Sequence, residues 1–128
     1  MKRHLAMALV VLIAGTLFAA AQVAPLGVVA DVPFSFMVGG KSLPAGSYRF
    51  VESANGGAVT VASSTGKTSL MAPVVTRLSP RNVEEAVVVF DVVGTDHYLS
   101  EVYMPGFDGY LLKAAESQHT HMKVKAKK

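Results

Sequence analysis

The stretch Val32-Pro33-Phe34-Ser35-Phe36-Met37-Val38 has a period of two, which places Val32, Phe34, Phe36 and Val38 on one face of a strand. Pro33 has no N–H to give to a ladder, so this strand starts here or lies at an edge. Gly39-Gly40-Lys41 breaks it, and Leu43-Pro44-Ala45-Gly46 follows as a turn. Proline presets φ at the second position of such a turn, and glycine suits the fourth. Ser47 to Ser53 then reads as a second strand with Tyr48 and Phe50 facing the core.

The same grammar continues along the chain. Asn55-Gly56 is a hairpin signal, and Ala58 to Ser63 is the partner strand. Thr65-Gly66-Lys67 turns into Ser69 to Leu78, where Pro73 predicts a bulge or a shift of sheet. Val87 to Val93 is apolar apart from Asp91 and reads as a central strand buried on both faces. Gly94-Thr95-Asp96-His97 is a turn, Tyr98 to Met104 a strand, and Tyr110-Leu111-Leu112 resumes the pairing after a Pro-Gly and Asp-Gly loop. Turn signals recur every 8–15 residues and no helical period stands out before residue 111. The fold class is therefore all-β, a small antiparallel β-sandwich or barrel.

The stretch Asp31 to Tyr48, with its pattern VPFxFxVGGKxLPAGxY, resembles a family of small exported bacterial proteins of unassigned function. A later part of that family's pattern is similar to Tyr98-Leu99-Ser100-Glu101-Val102-Tyr103 and the Pro-Gly and Asp-Gly that follow. The resemblance covers most of residues 30–113. It implies a secreted β domain and brings no catalytic or ligand residues with it.

The amino terminus predicts export. Lys2 and Arg3 precede an apolar run from Leu5 to Ala20, and Ala19-Ala20-Ala21 is a small-residue cleavage site before Gln22. These are the three parts of a cleavable signal peptide in order. The run is shorter than the ~20 apolar residues of a membrane span, so no span is expected after cleavage. The chain is thus divided into a signal peptide at 1–21, a β domain at 22–116 and a basic disordered tail at 117–128. The location expected is periplasmic or secreted.

Composition narrows the chemistry. The chain has 128 residues, 51% of them hydrophobic and 16% charged, too apolar for a disordered protein. It has no Cys, which excludes disulfides, thiolate metal sites and cysteine nucleophiles. The net charge of +3 is unevenly placed. Residues 22–118 hold six basic residues against all nine acidic ones, while Lys123, Lys125, Lys127 and Lys128 close the chain. The basic charge is off the domain, so nucleic acid is not an expected partner. An envelope polyanion met by the Lys-rich tail is.

No catalytic, cofactor or metal residue is assigned from sequence. Asp96, His97 and Ser100 have the residue types of a nucleophilic triad, but a turn running into a strand does not align them. Asp91, Asp96, Glu101 and Asp108 match no calcium-loop spacing. Glu101, set between Leu99 and Tyr103 on one strand face, would need a partner such as Arg49, Arg77 or Arg81 if buried. His119-Thr120-His121-Met122 offers a soft set for copper or nickel, but only in a tail expected to be mobile. Gly39-Gly40-Lys41-Ser42 lacks the earlier glycine and following helix of a phosphate loop.

The function expected is a non-enzymatic exported β domain that binds a partner or surface. The alternative is a small barrel carrying an apolar ligand lined by Phe34, Phe36, Tyr48, Phe50 and Phe90. Intact mass of the exported protein should show cleavage between Ala21 and Gln22. A mature species that retains Leu5 to Ala20 would make it an anchored protein.

Overall fold

The computed structural model describes residues 27–81, 84–114 and 118–127. The signal peptide expected at residues 1–21 lies outside them. Among the described residues no helix is long and apolar enough to cross a membrane. The described residues form eleven strands in order: β1 (Gly27–Val32), β2 (Phe36–Val38), β3 (Lys41–Leu43), β4 (Gly46–Glu52), β5 (Ala58–Ser63), β6 (Ser69–Pro73), β7 (Thr76–Leu78), β8 (Val87–Val93), β9 (Asp96–Tyr103), β10 (Gly109–Leu111) and β11 (Thr120–Lys125).

They form two sheets. One has the order β1-β4-β5-β6, and the other runs β11-β8-β9-β10-β7, with the β2–β3 hairpin joined to it through β9. The ladders are antiparallel except at Met37 and Tyr98, where β2 meets β9 in parallel. One core cluster takes side chains from both sheets, including Val28, Phe50 and Val61 from the first and Phe36, Phe90 and Val102 from the second. The architecture is thus two sheets around a shared core.

Proline sets where the chain changes sheet. The single strand expected over Val32 to Val38 is split: β1 ends at Val32 in the first sheet and β2 starts at Phe36 in the second. Pro33 cannot donate to a ladder, and the crossing falls on it. The period of two survives the break, since Val32, Phe36 and Val38 are buried and Phe34 is half-buried against them. The shift of sheet expected at Pro73 is present, because β6 belongs to the first sheet and β7 to the second. Between β2 and β3, Gly39 and Gly40 both have positive φ, 56° and 82°. A two-residue hairpin of that hand needs two such residues, and glycine adopts them without a Cβ clash.

The aromatic residues that could have lined a ligand cavity pack on one another instead. Phe36 meets Tyr48 at 5.0 Å and Phe90 at 5.2 Å, both edge to face, and Phe34 meets Phe90 at 4.9 Å. Such contacts contribute beyond the area they bury. Tyr48 also donates its hydroxyl to the Pro44 carbonyl at 2.6 Å, tying β4 to the turn before it.

The carboxyl-terminal segment corrects an expectation. A disordered tail was expected over residues 117–128, yet residues 120–125 form β11, paired with β8 at six positions. A strand at a sheet edge is disfavoured by the segment's small apolar surface, set against the entropy of ordering it. The open edge of β8 tips the balance, since its N–H and C=O groups offer a template. Val124 and Ala126 pack half-buried against the core, and Lys123 and Lys125 are exposed. Beyond β11, the Ala126 N–H bonds the Ala86 carbonyl and the Lys127 N–H bonds the Val29 carbonyl in β1.

Phe36 is 1% exposed and touches rings from both sheets. Phe36→Ala is expected to cost about 3–5 kcal/mol in denaturant unfolding. A loss below about 1 kcal/mol would mean that the site collapses without a cavity.

Candidate functional site

Residues paired across antiparallel strands share a face, so the ladder of β11, β8 and β9 defines what lies side by side. His121 is opposite Asp91, which is opposite Tyr98. Lys123 is opposite Val89, which is opposite Glu101. Lys125 is opposite Val87, which is opposite Tyr103. These three rows make up the outer face of the second sheet, while Val88 and Phe90 of β8 point into the core. β8 is therefore buried on both faces, as its sequence implied: Val88, Val89, Phe90 and Asp91 are all buried in succession.

The face carries cations over aromatic rings. The Arg81 guanidinium lies over the Tyr103 ring at 4.7 Å and the Lys113 ammonium over the Tyr98 ring at 4.8 Å. Burial pushes the Tyr103 phenol above its ordinary pKa, and Glu101 adds to this through its charge and by accepting the phenolic hydrogen bond, against a smaller opposing effect of Arg81. Lys123 and Lys125 are exposed on the outermost strand.

Asp91 is the anomaly. It is 1% exposed, and neither carboxylate oxygen has a hydrogen-bond partner. The Nδ1 of His121 approaches Oδ1 at 3.1 Å, an ion-pair distance without hydrogen-bond alignment. On the other side of that ring, His121 Nε2 lies 3.3 Å from His119 Nε2. The two rings meet edge to face with centroids 4.7 Å apart. Strand geometry explains the pairing, since positions two apart project to one face. One ligand atom from each of Asp91, His119 and His121 falls within 4.8 Å of the others.

The remaining candidates from sequence separate. His97 stacks on Phe34 at 4.0 Å, Ser100 is buried with its hydroxyl donated to the Lys113 carbonyl at 3.4 Å, and Asp96 is exposed at the start of β9. They form no nucleophilic relay. Asp108 pairs with Arg77 at 4.0 Å, and Arg77 also reaches Glu52 at 3.5 Å, so Asp108 is held far from Asp91 in the ladder. Glu101 is met by Tyr103, whose ring Arg81 covers; of the three arginines considered, Arg81 is the one nearby. Met122 lies opposite Phe90, on the other face from the two imidazoles, and does not join them. Gly39 and Gly40 form the turn of the β2–β3 hairpin, and Lys41 and Ser42 belong to β3.

Asp91, which matches no calcium-loop spacing, is buried in the middle of β8. The signal available was a lone acid inside an apolar strand. No protein-family model matches the chain, and no curated protein or solved structure matches it either.

A buried carboxylate without hydrogen bonds opposes folding. Asp91→Asn removes the charge and keeps the shape. In a chelator at pH 8 it should therefore raise stability to urea by about 1–3 kcal/mol. A loss of stability would mean that the charge is already well compensated in the metal-free chain.

Proposed function

We propose that the protein is an exported, non-enzymatic β domain that binds an anionic surface of the cell envelope through the outer face of the second sheet. The observation that carries this reading is the docking of β11. It converts a lysine-rich chain end into an ordered row, with Lys123 and Lys125 exposed along β11 on the sheet side where Arg81 covers Tyr103 and Lys113 covers Tyr98. Alternate residues of a strand stand about 7 Å apart, a spacing that suits neighbouring headgroups. Each lysine near an anionic lipid surface contributes about 1 kcal/mol within a Debye length. The attachment is weak, reversible and sensitive to salt.

Export rests on the basic start, apolar run and small-residue site of residues 1–21, and on the resemblance to small exported proteins. The non-enzymatic reading is supported by the dispersal of Asp96, His97 and Ser100 over different surroundings.

A second reading, a carrier of a small apolar ligand, is favoured by one feature. A cleft of about 340 Å³ between β2, β6 and β9 is lined by Met37, Val38, Ala72, Leu99 and Leu112. Its volume suits a ligand of modest size. Native mass spectrometry of the exported protein would show a retained ligand under this reading and none under the first.

The surface reading is tested by sedimentation of the mature chain with phosphatidylglycerol vesicles. Lys123→Glu with Lys125→Glu should weaken binding by at least about tenfold, and 0.5 M salt should do the same. Equal binding by the variant, or indifference to salt, would remove this face as the contact surface.

A further inference from the structure

We propose that His119 and His121, backed by Asp91, form a binding site for one divalent transition-metal ion of the Zn²⁺, Ni²⁺ or Cu²⁺ class. The proposal stands independently of the surface reading, because it rests on three side chains at one end of the face rather than on the lysine row.

The first argument is the distance between the imidazoles. Their Nε2 atoms face each other at 3.3 Å. That separation fits a hydrogen bond between the two rings, its donor set by the tautomer. It also matches two ligands of one ion: metal–nitrogen bonds of about 2.0–2.1 Å spanning that gap subtend about 110°, close to the tetrahedral angle. Neutral imidazole nitrogens are also the ligands these borderline ions prefer.

The second argument is the carboxylate behind them. Asp91 is fully buried on β8, its oxygens lack hydrogen bonds, and Oδ1 lies 3.1 Å from Nδ1 of His121. A ligating histidine usually gives its other ring N–H to a carboxylate, which fixes the tautomer and makes the ligating nitrogen more basic. Asp91 stands where that partner belongs. With Nδ1 protonated toward Asp91, the lone pair of His121 Nε2 points at His119. A divalent ion on the far side of the ring would favour the Nδ1–H tautomer and an aligned Nδ1–H···Oδ1 bond. It would also add positive charge near a buried carboxylate whose neighbour is His121 at 3.1 Å.

The third argument is topological. Asp91 belongs to β8, and the histidines lie on and just before β11. β11 buries little apolar surface of its own, with Val124 its only half-buried residue. An ion held by both histidines and braced by Asp91 therefore fastens the last strand to the sheet. Among the described residues the two imidazoles are the nitrogen ligands, and water or another donor would complete the coordination.

The test uses the mature chain, stripped with chelator and titrated with ZnCl₂ and NiCl₂ by calorimetry, with ¹H–¹⁵N spectra of the histidine rings recorded alongside. One ion per chain is expected, with metal-induced shifts at the Nε2 atoms of His119 and His121. His119→Gln or His121→Gln should abolish the site, and Asp91→Asn should weaken it about 10–100-fold. His97→Gln, which removes an imidazole stacked on Phe34 away from the cluster, should leave binding unchanged. Circular dichroism of each variant establishes that it is folded. Zinc should raise the melting temperature of the wild-type chain but not of His121→Gln. The proposal is overturned if no ion binds, if binding survives both histidine substitutions, or if the bound ion leaves the Nε2 resonances of His119 and His121 unmoved.

Discussion

Phe90 is the point on which both sheets and the outer face depend. Its ring sits edge-on to Phe34 and Phe36, the residues that bring the chain across from β1 into the second sheet. Through Phe36 the contact passes to Tyr48 in the opposite sheet. Holding Phe90 inward fixes the face of every other residue of β8, because side chains alternate along a strand. Val88 must then point inward, and Val89 and Asp91 outward. The buried carboxylate is a consequence of where that phenyl ring is anchored. A one-residue slip of β8 would turn Val89 and Asp91 into the shared core and Phe90 onto the outer face, so the core holds Asp91 in register against the cost of its own desolvation.

The neighbour of β8 on the other side keeps this register by an irregularity. Between Val89 and Phe90 the ladder with β9 skips Ser100, leaving one extra residue on β9. Leu99 faces the core beside Phe90, while Glu101 and Tyr103 turn to the outer face with Val89 and Val87. Simple alternation had placed Glu101 on the face of both Leu99 and Tyr103; the bulge divides them. It also buries the Ser100 hydroxyl, which finds an acceptor in the Lys113 carbonyl. The outer face gains its Tyr98 and Tyr103 rings on either side of this kink, and each ring carries a cation.

Much of this was legible in the residues because local chemistry decided it. Asn55-Gly56, Thr65-Gly66 and Gly39-Gly40 each announced a turn, and β5 and β8 run over the residues that their composition marked. The less legible elements are those whose partners are distant in sequence. β3 is three residues of ordinary polarity that pair only because two glycines fold them back on β2. β11 alternates Met122 and Val124 with Lys123 and Lys125, which looks too polar to order until the free edge of β8 is in place. The candidate site shares this limit. Asp91 and His121 are 30 positions apart and meet only through the β8–β11 register, so neither half signals the other in the sequence.

The chain end shows how a strand with little apolar surface is kept. Its six ladder positions give it backbone partners, and two further bonds, to Ala86 and to Val29, carry it from the edge of one sheet to the edge of the other. Lys127 then meets Asp31 at 3.0 Å. The Asp31 carboxyl is held below its ordinary pKa, chiefly by its hydrogen bond to Lys127, with burial opposing and Ser47 assisting. A carboxyl whose folded pKa is depressed favours the folded state above its unfolded pKa, and that contribution is lost as the pH falls through the lowered folded value. The group is open to solvent, so its part is to select where the chain end lies rather than to hold the fold. The edge of β1 and the edge of β8 are thereby joined by one segment. Whatever orders or releases that segment, an ion at the histidines or acid at Asp31, acts on both sheets at once.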